Sequence, residues 1–202
     1  MNDYQFEQLD ALLLVRMHLK ALPGGEKDKL RQMAADYLEF RRRADRFLGT
    51  YFASVCDRSC YQSRLSACCS REGIITFFAD VVINQLFCDE AELDGLANAL
   101  RSENTGFKCV YLGADGCRWK IKPIVCQMFL CEPAKAKVFR QHPLAESEWN
   151  ELERLRKKFT WPDRPVLFDI MEKYFMALGC SSVLMYMHQS PGLLRVKKTA
   201  GI

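Results

Sequence analysis

Apolar residues recur at helical spacing from the start of the chain. Phe6, Leu9, Leu13 and Met17 fall in one row between Asn2 and Leu22, and Pro23-Gly24-Gly25 ends it. A longer pattern follows from Glu26 to Val55. Leu30, Tyr37, Ala44 and Tyr51 stand seven apart, Met33, Phe40 and Phe47 form a parallel row, and Lys27, Arg31, Arg42 and Arg46 take other faces. This predicts one helix of roughly eight turns, packed along a stripe and running into Cys56. Residues 56–73 carry no sustained apolar period and read as irregular structure. The apolar run Ile74–Phe87 precedes a polar helix over Asp89–Arg101, with Leu93, Leu96 and Leu100 on one side and Asn104-Thr105-Gly106 as its break.

The pattern then changes period. Residues 108–121 read as a small hairpin around Gly113-Ala114-Asp115-Gly116, and Pro123 opens a short helix carrying Cys126 through Cys131. Helices are predicted over 144–159 and 163–178, the second closed by Gly179. Val183–Met187 and Leu193–Val196 look strand-like around Ser190-Pro191-Gly192. The expected fold is mainly α. A helical scaffold surrounds an irregular cysteine-rich metal-binding centre that carries the small β-hairpin. One domain over 1–202 is expected, with an N-terminal helical hairpin (1–55), a cysteine-cluster module (56–132), and C-terminal helices with a short hairpin (133–202).

Composition changes this picture in one respect. At 202 residues, 49% hydrophobic and 27% charged, the chain is an ordinary globular one, and its net charge of +4 does not select a nucleic-acid binder. It holds ten cysteines, however, and nine of them lie between Cys56 and Cys131. The acidic N-terminus and the short apolar run Ala11–Val15 match neither a signal peptide nor a membrane span, so a cytoplasmic chain is expected. Reduced thiols favour metal binding or catalysis over a disulfide framework, which is the competing reading.

The cysteines form two sets, Cys56-x3-Cys60-x7-Cys68-Cys69 and Cys109-x7-Cys117-x8-Cys126-x4-Cys131. Four thiolates are soft ligands that select Zn²⁺ or an iron–sulfur cluster over Mg²⁺ or Ca²⁺. Spacing leaves open whether the eight build two sites or one. Across 56–72 and 107–131, seven cations (Arg58, Arg64, Arg71, Lys108, Arg118, Lys120, Lys122) face Asp57, Glu72 and Asp115, a local excess that favours the thiolate. Cys88 and Cys180 stand outside both sets and read as small core residues.

The ordered residues Cys109, Tyr111, Leu112, Gly116, Cys117, Pro123, Cys126, Phe129 and Cys131, preceded by the CxxxC…CC segment, carry a resemblance. The region 56–132 resembles the bacterial YkgJ-like, CxxCxxCC cysteine-cluster proteins, described as zinc- or iron-chelating. Here the first pair is CxxxC, Lys122 stands before Pro123, and Gln127 follows Cys126, where the family has CxxC, Arg and Arg. The resemblance implies a metal-binding protein with a thiolate-ligated iron–sulfur centre (4Fe–4S type) or zinc. Cys56, Cys60, Cys68, Cys69, Cys109, Cys117, Cys126 and Cys131 are its expected ligands. Part of the wider family resembles flagellin lysine N-methylase, which implies the alternative of an iron–sulfur-dependent protein lysine N-methyltransferase using adenosylmethionine. No glycine-rich strand-to-helix turn for that cofactor and no Cys-x3-Cys-x2-Cys triplet is present.

Little else in the chain carries chemistry. His18 reads as a helix residue, His142 as a loop histidine or an extra metal ligand, and His188 offers nothing distinctive. There is no HExxH, Walker-type or Rossmann-type motif. Arg41-Arg42-Arg43 with Arg46, and Arg154, Arg156, Lys157 and Lys158, alternate with acids and read as solvated helix faces. The expected partner is the metal ion or cluster. A protein partner stays open, nucleic acid is disfavoured, and no membrane span is expected.

Overall fold

The computed structural model describes residues 1–56, 62, 69–70 and 75–202. It is mainly helical, with one small antiparallel hairpin. In chain order the elements are α1 (Asp3–Ala21), α2 (Gly24–Met33), α3 (Ala35–Tyr51), α4 (Phe78–Phe87), α5 (Glu90–Arg101), β1 (Leu112–Gly113) and β2 (Gly116–Cys117). They continue with α6 (Ile124–Gln127), α7 (Glu132–Gln141), α8 (Pro143–Thr160), α9 (Leu167–Ala177), α10 (Tyr186–Gln189) and α11 (Pro191–Ala200).

Helix α4 is the hub. Phe78, Ala79, Val81, Val82 and Ile83 are all buried, as expected of a helix that is apolar on every side, and α1, α2 and α9 pack around it. On the far side α3 packs on α8, which also contacts α7 and α9. Edge-to-face rings join the layers: Tyr37 meets Phe159 at 5.3 Å and Phe168 at 5.5 Å, and Phe78 meets Phe175 at 5.3 Å.

Helix α1 opens with reciprocal capping. Asn2 Oδ1 accepts the Gln5 N–H at 2.9 Å, and Gln5 Oε1 accepts the Asn2 N–H at 3.1 Å. The Gln5 amide then donates to the carbonyls of Leu100 and Ser102, both at 2.8 Å, so a buried glutamine satisfies the carboxyl end of α5. The buried face of α1 is Gln5, Gln8, Ala11, Leu12, Val15 and Leu19. The row chosen from sequence points the other way, with Phe6 61% and Met17 60% exposed. Residues Leu12–Val15 are apolar on several faces, so periodicity alone does not choose the inward one.

The single helix expected over 26–55 is two. The chain kinks at Ala34, whose N–H is shared between the carbonyls of Leu30 (3.2 Å) and Arg31 (3.1 Å). The predicted stripe otherwise packs inward through Leu30, Tyr37, Phe40, Ala44 and Phe47. Three further corrections fall after the hairpin. The helix begun at Pro123 ends at Gln127, and Cys131 instead caps a separate helix, α7. Helix α9 starts at Leu167 rather than 163, and Gly179, at φ +81°, closes it in the left-handed region that suits glycine. The tail is helical where strands were expected. Pro191 at the start of α11, lysines in its last turn and Gly201 after it outweigh the β-branched and aromatic residues. Among the described residues no helix is long and apolar enough to cross a membrane.

Candidate metal centre

The hairpin sets Leu112 opposite Cys117 and Gly113 opposite Gly116. Its paired arms are two residues each, shorter than the 108–121 span suggested, although the Arg118 N–H still reaches the Tyr111 carbonyl at 2.9 Å. Gly116, at φ +110°, makes the turn. Tyr111 and Trp119 pack edge to face at 5.2 Å, and both are buried. They fasten the hairpin to the core and leave Cys109 and Cys117 half-buried against it.

A second contact brings the two cysteine sets together. The Cys109 N–H donates to the Cys69 carbonyl at 2.8 Å, and Ser70 pairs with Lys108 in an antiparallel bridge. The charges of Cys69, Cys109 and Cys117 all act on Cys126, and Cys69 also acts on Cys109 and Cys117. Cys69, Cys109, Cys117 and Cys126 are therefore within electrostatic reach of one another. The Leu112 N–H donates to the Cys109 carbonyl at 3.0 Å, and the nearby Tyr111 and Trp119 N–H groups favour negative charge on the Cys109 and Cys117 sulfurs respectively. Such donors stabilise sulfur that carries negative charge.

Buried polar side chains hold the Cys126 segment. Asp80 on α4 accepts the Phe77 and Ile124 N–H groups, each at 3.1 Å. The Asn84 amide donates to the Ile121 carbonyl at 2.8 Å, and its Oδ1 accepts the Ile121 N–H at 3.2 Å. From α3, the Arg41 guanidinium donates to the Lys122 carbonyl and to the Tyr37 hydroxyl, the latter at 2.7 Å. Gln127 donates to Asp45. Arg41, read from sequence as part of a solvated face, is buried. Arg42 pairs with Glu39 and Arg43 with Glu151, as the alternation with acids suggested.

Cys56 and Cys131 sit at helix ends. Cys56 ends the extension of α3, its N–H donating to the Phe52 carbonyl at 2.8 Å. Cys131 is the cap residue of α7 and packs, half-buried, against the core. Cys60 and Cys68 lie outside the described residues. Cys180 is buried in the core, and the Cys88 thiol, half-buried, donates to Asn84 Oδ1 at 3.2 Å. Among the described residues no three His, Cys, Asp or Glu side chains are drawn close enough to hold a metal ion. The four thiols are neighbours at electrostatic range.

Electrostatics correct one expectation. The local cation excess suggested lowered thiol pKa values, but burial dominates and pushes Cys109 and Cys126 up to about 12. Burial raises Cys117 as well, with Lys122 opposing it. Lys120 is engaged by Glu92 at 2.9 Å, and Lys108 sits over the Phe107 ring at 4.7 Å.

A lone buried carboxyl and an acid cluster escaped the sequence reading. Burial pushes Asp80 up to about 7. On α9, Glu172 receives His188 Nδ1 at 3.1 Å, while Asp169 pairs with Lys197 at 2.5 Å and faces His188 Nε2 at 3.3 Å. Only the i,i+3 spacing of Asp169 and Glu172 on an apolar helix hinted at this cluster. His142, a candidate extra ligand, joins α7 to α8 with its ring 5.6 Å from that of Tyr51. Comparison of the chain with protein-family models, with curated proteins and with solved structures finds no match.

Proposed function

We propose that this chain is a metal-binding protein whose centre is a thiolate-ligated iron–sulfur cluster or zinc ion. The observation that carries the reading is the backbone contact from the Cys109 N–H to the Cys69 carbonyl, which joins the two cysteine sets beside the hairpin that carries Cys117. Four half-buried thiols are a soft donor set of the kind that zinc or an iron–sulfur cluster takes, and a metal ion displaces their protons on binding. Asp80, Asn84 and Arg41 hold the Cys126 segment in register with the hairpin, which limits the movement needed to close a coordination shell. The resemblance of 56–132 to the cysteine-cluster family supports the same assignment.

The test is anaerobic purification, a visible spectrum, and iron, sulfide and zinc determined per chain. A brown protein absorbing near ~400 nm with iron and sulfide identifies a cluster, and a colourless one with about one or two zinc ions identifies zinc sites. A protein that neither retains nor takes up either metal overturns the proposal. The methyltransferase alternative has no supporting feature of its own among the described residues. Transfer from labelled adenosylmethionine to a lysine-containing protein would establish it.

A further inference from the structure

The charged cluster on α9 lies in a surface cleft. Asp169, Lys173, His188 and Lys197 line a space of about 400 Å³ where α9, α10 and α11 meet, and Pro165, Ile170 and Ile202 give it an apolar wall. Small-molecule sites span about 300–1,000 Å³ and share this composition, a mostly apolar lining with a few converging polar groups. The polar side is fixed by its own bonds. Lys197 Nζ donates to Asp169 Oδ1 at 2.5 Å, His188 Nε2 faces the same oxygen at 3.3 Å, and the fully buried Glu172 holds His188 Nδ1 at 3.1 Å. The Lys197 and Asp169 side chains are only 11% and 10% exposed. A buried ion pair adds little stability over apolar residues of the same size, so its presence at the edge of a cleft points to a use there.

The donors left over define the ligand. An ammonium carries three N–H donors, and Asp169 takes one of those on Lys197. Lys173 stands four residues after Asp169, on the same face of α9, and is exposed. Among the described residues no carboxylate lies at ion-pair distance from it. Asp169 balances Lys197, which leaves Lys173 as the unmatched side-chain charge of the cleft. Burial pushes Glu172 up to about 8 and holds His188 below its ordinary value, so neither adds charge at neutral pH. We propose that this cleft binds a small monocarboxylate with an apolar body. Its carboxylate takes Lys173 and the free donors of Lys197, and its hydrocarbon part lies against Pro165, Ile170 and Ile202. The site shares no residue with the candidate metal centre.

The experiment titrates the full chain with hexanoate, acetate, hexanol and hexylamine, following the backbone amide resonances of Ile170, Lys173 and His188. Hexanoate should give saturable shifts, and acetate and hexanol should each bind more weakly by about 10-fold or more, because one lacks the apolar body and the other the charge. Hexylamine should not bind. Lys173→Met should weaken hexanoate by about 10-fold and leave hexanol unchanged, whereas Ile170→Asp should remove both. Lys198→Met, which alters an exposed lysine of α11 outside the cleft, should change neither. Lys173 and Ile170 are themselves exposed, so urea midpoints close to wild type verify that their variants fold. Hexanoate that fails to saturate these resonances, or hexanol or hexylamine binding as tightly as hexanoate, overturns the proposal. So does equal hexanoate affinity in Lys173→Met and Lys198→Met.

Discussion

Replacing Glu172 with Gln isolates the cost of burying a carboxylate where α9 meets α10. Glu172 is fully enclosed, with Oε1 accepting the Met187 N–H at 3.3 Å and Oε2 facing His188 Nδ1 at 3.1 Å. Burial, reinforced by the charge of Asp169, pushes its carboxyl up to about 8 against the opposing N–H groups and Lys197. Between the ordinary value of 4.5 and about 8, the folded protein keeps a proton that the unfolded chain has released. Stability therefore falls as pH rises through this window and stays lowered above it. The full interval corresponds to roughly 5 kcal/mol at 1.36 kcal/mol per pH unit. Local relaxation and water entry around a buried ion reduce the measurable part to about 2–3 kcal/mol.

A glutamine fills the same volume without the charge. Its oxygen accepts the Met187 N–H, and its amide donates to His188 Nδ1 once the ring carries its proton on Nε2, facing Asp169. Burial holds His188 below its ordinary value, so the ring is neutral over the upper part of the window and the rise there belongs to Glu172. The assay is urea unfolding of both metal-free proteins from pH about 4 to about 9, read as the difference in unfolding free energy. The difference should be near zero at the acid end and climb by about 2–3 kcal/mol in favour of Glu172→Gln above pH about 8. A difference that stays flat across the window, or a less stable variant at the alkaline end, would refute the reasoning.

Serine substitution separates ligands from core residues. Cys69→Ser, Cys109→Ser, Cys117→Ser and Cys126→Ser should each abolish stoichiometric metal, measured by elemental analysis, whereas Cys88→Ser and Cys180→Ser should retain it. Because burial keeps the Cys109 and Cys126 thiols protonated at neutral pH, zinc uptake should release close to four protons per ion from the four-thiol site. Calorimetry in buffers of different ionisation enthalpy counts them, and uptake without proton release would exclude these thiols as ligands. Arg41→Lys should lower unfolding stability by about 2 kcal/mol, because a single ammonium cannot span the Tyr37 hydroxyl and the Lys122 carbonyl as the planar fork does. Gly116→Ala should cost about 1 kcal/mol in the same assay. The added Cβ meets open space, so the penalty comes from φ +110° alone.

The helices were legible wherever polar caps and one-sided apolar rows coincide. The α5 segment is the clearest case, with Asp89 capping it and Leu93, Leu96 and Leu100 facing inward as read. Legibility failed where apolar residues cover several faces, as in α1, and where valines and a tyrosine in the tail mimic strands. The hairpin turn was visible in Gly113-Ala114-Asp115-Gly116, but its length was not, because side-chain packing of Tyr111 and Trp119 replaces most of the ladder.

At the candidate site, sequence alone determined the donor inventory: eight thiols in two ordered sets, with Cys88 and Cys180 apart, are a property of residue identity and spacing. Which cysteine segments meet was decided by the tertiary structure. The Cys69–Cys109 backbone contact joins segments some forty residues apart, and Asp80, Asn84 and Arg41 hold Cys126 from two different helices. Thiol protonation was decided there too. Local sequence charge suggested lowered values, yet removal from water outweighs nearby surface lysines that solvent screens or that pair with acids such as Glu92. Composition and spacing name the donor atoms, and packing sets their dielectric surroundings.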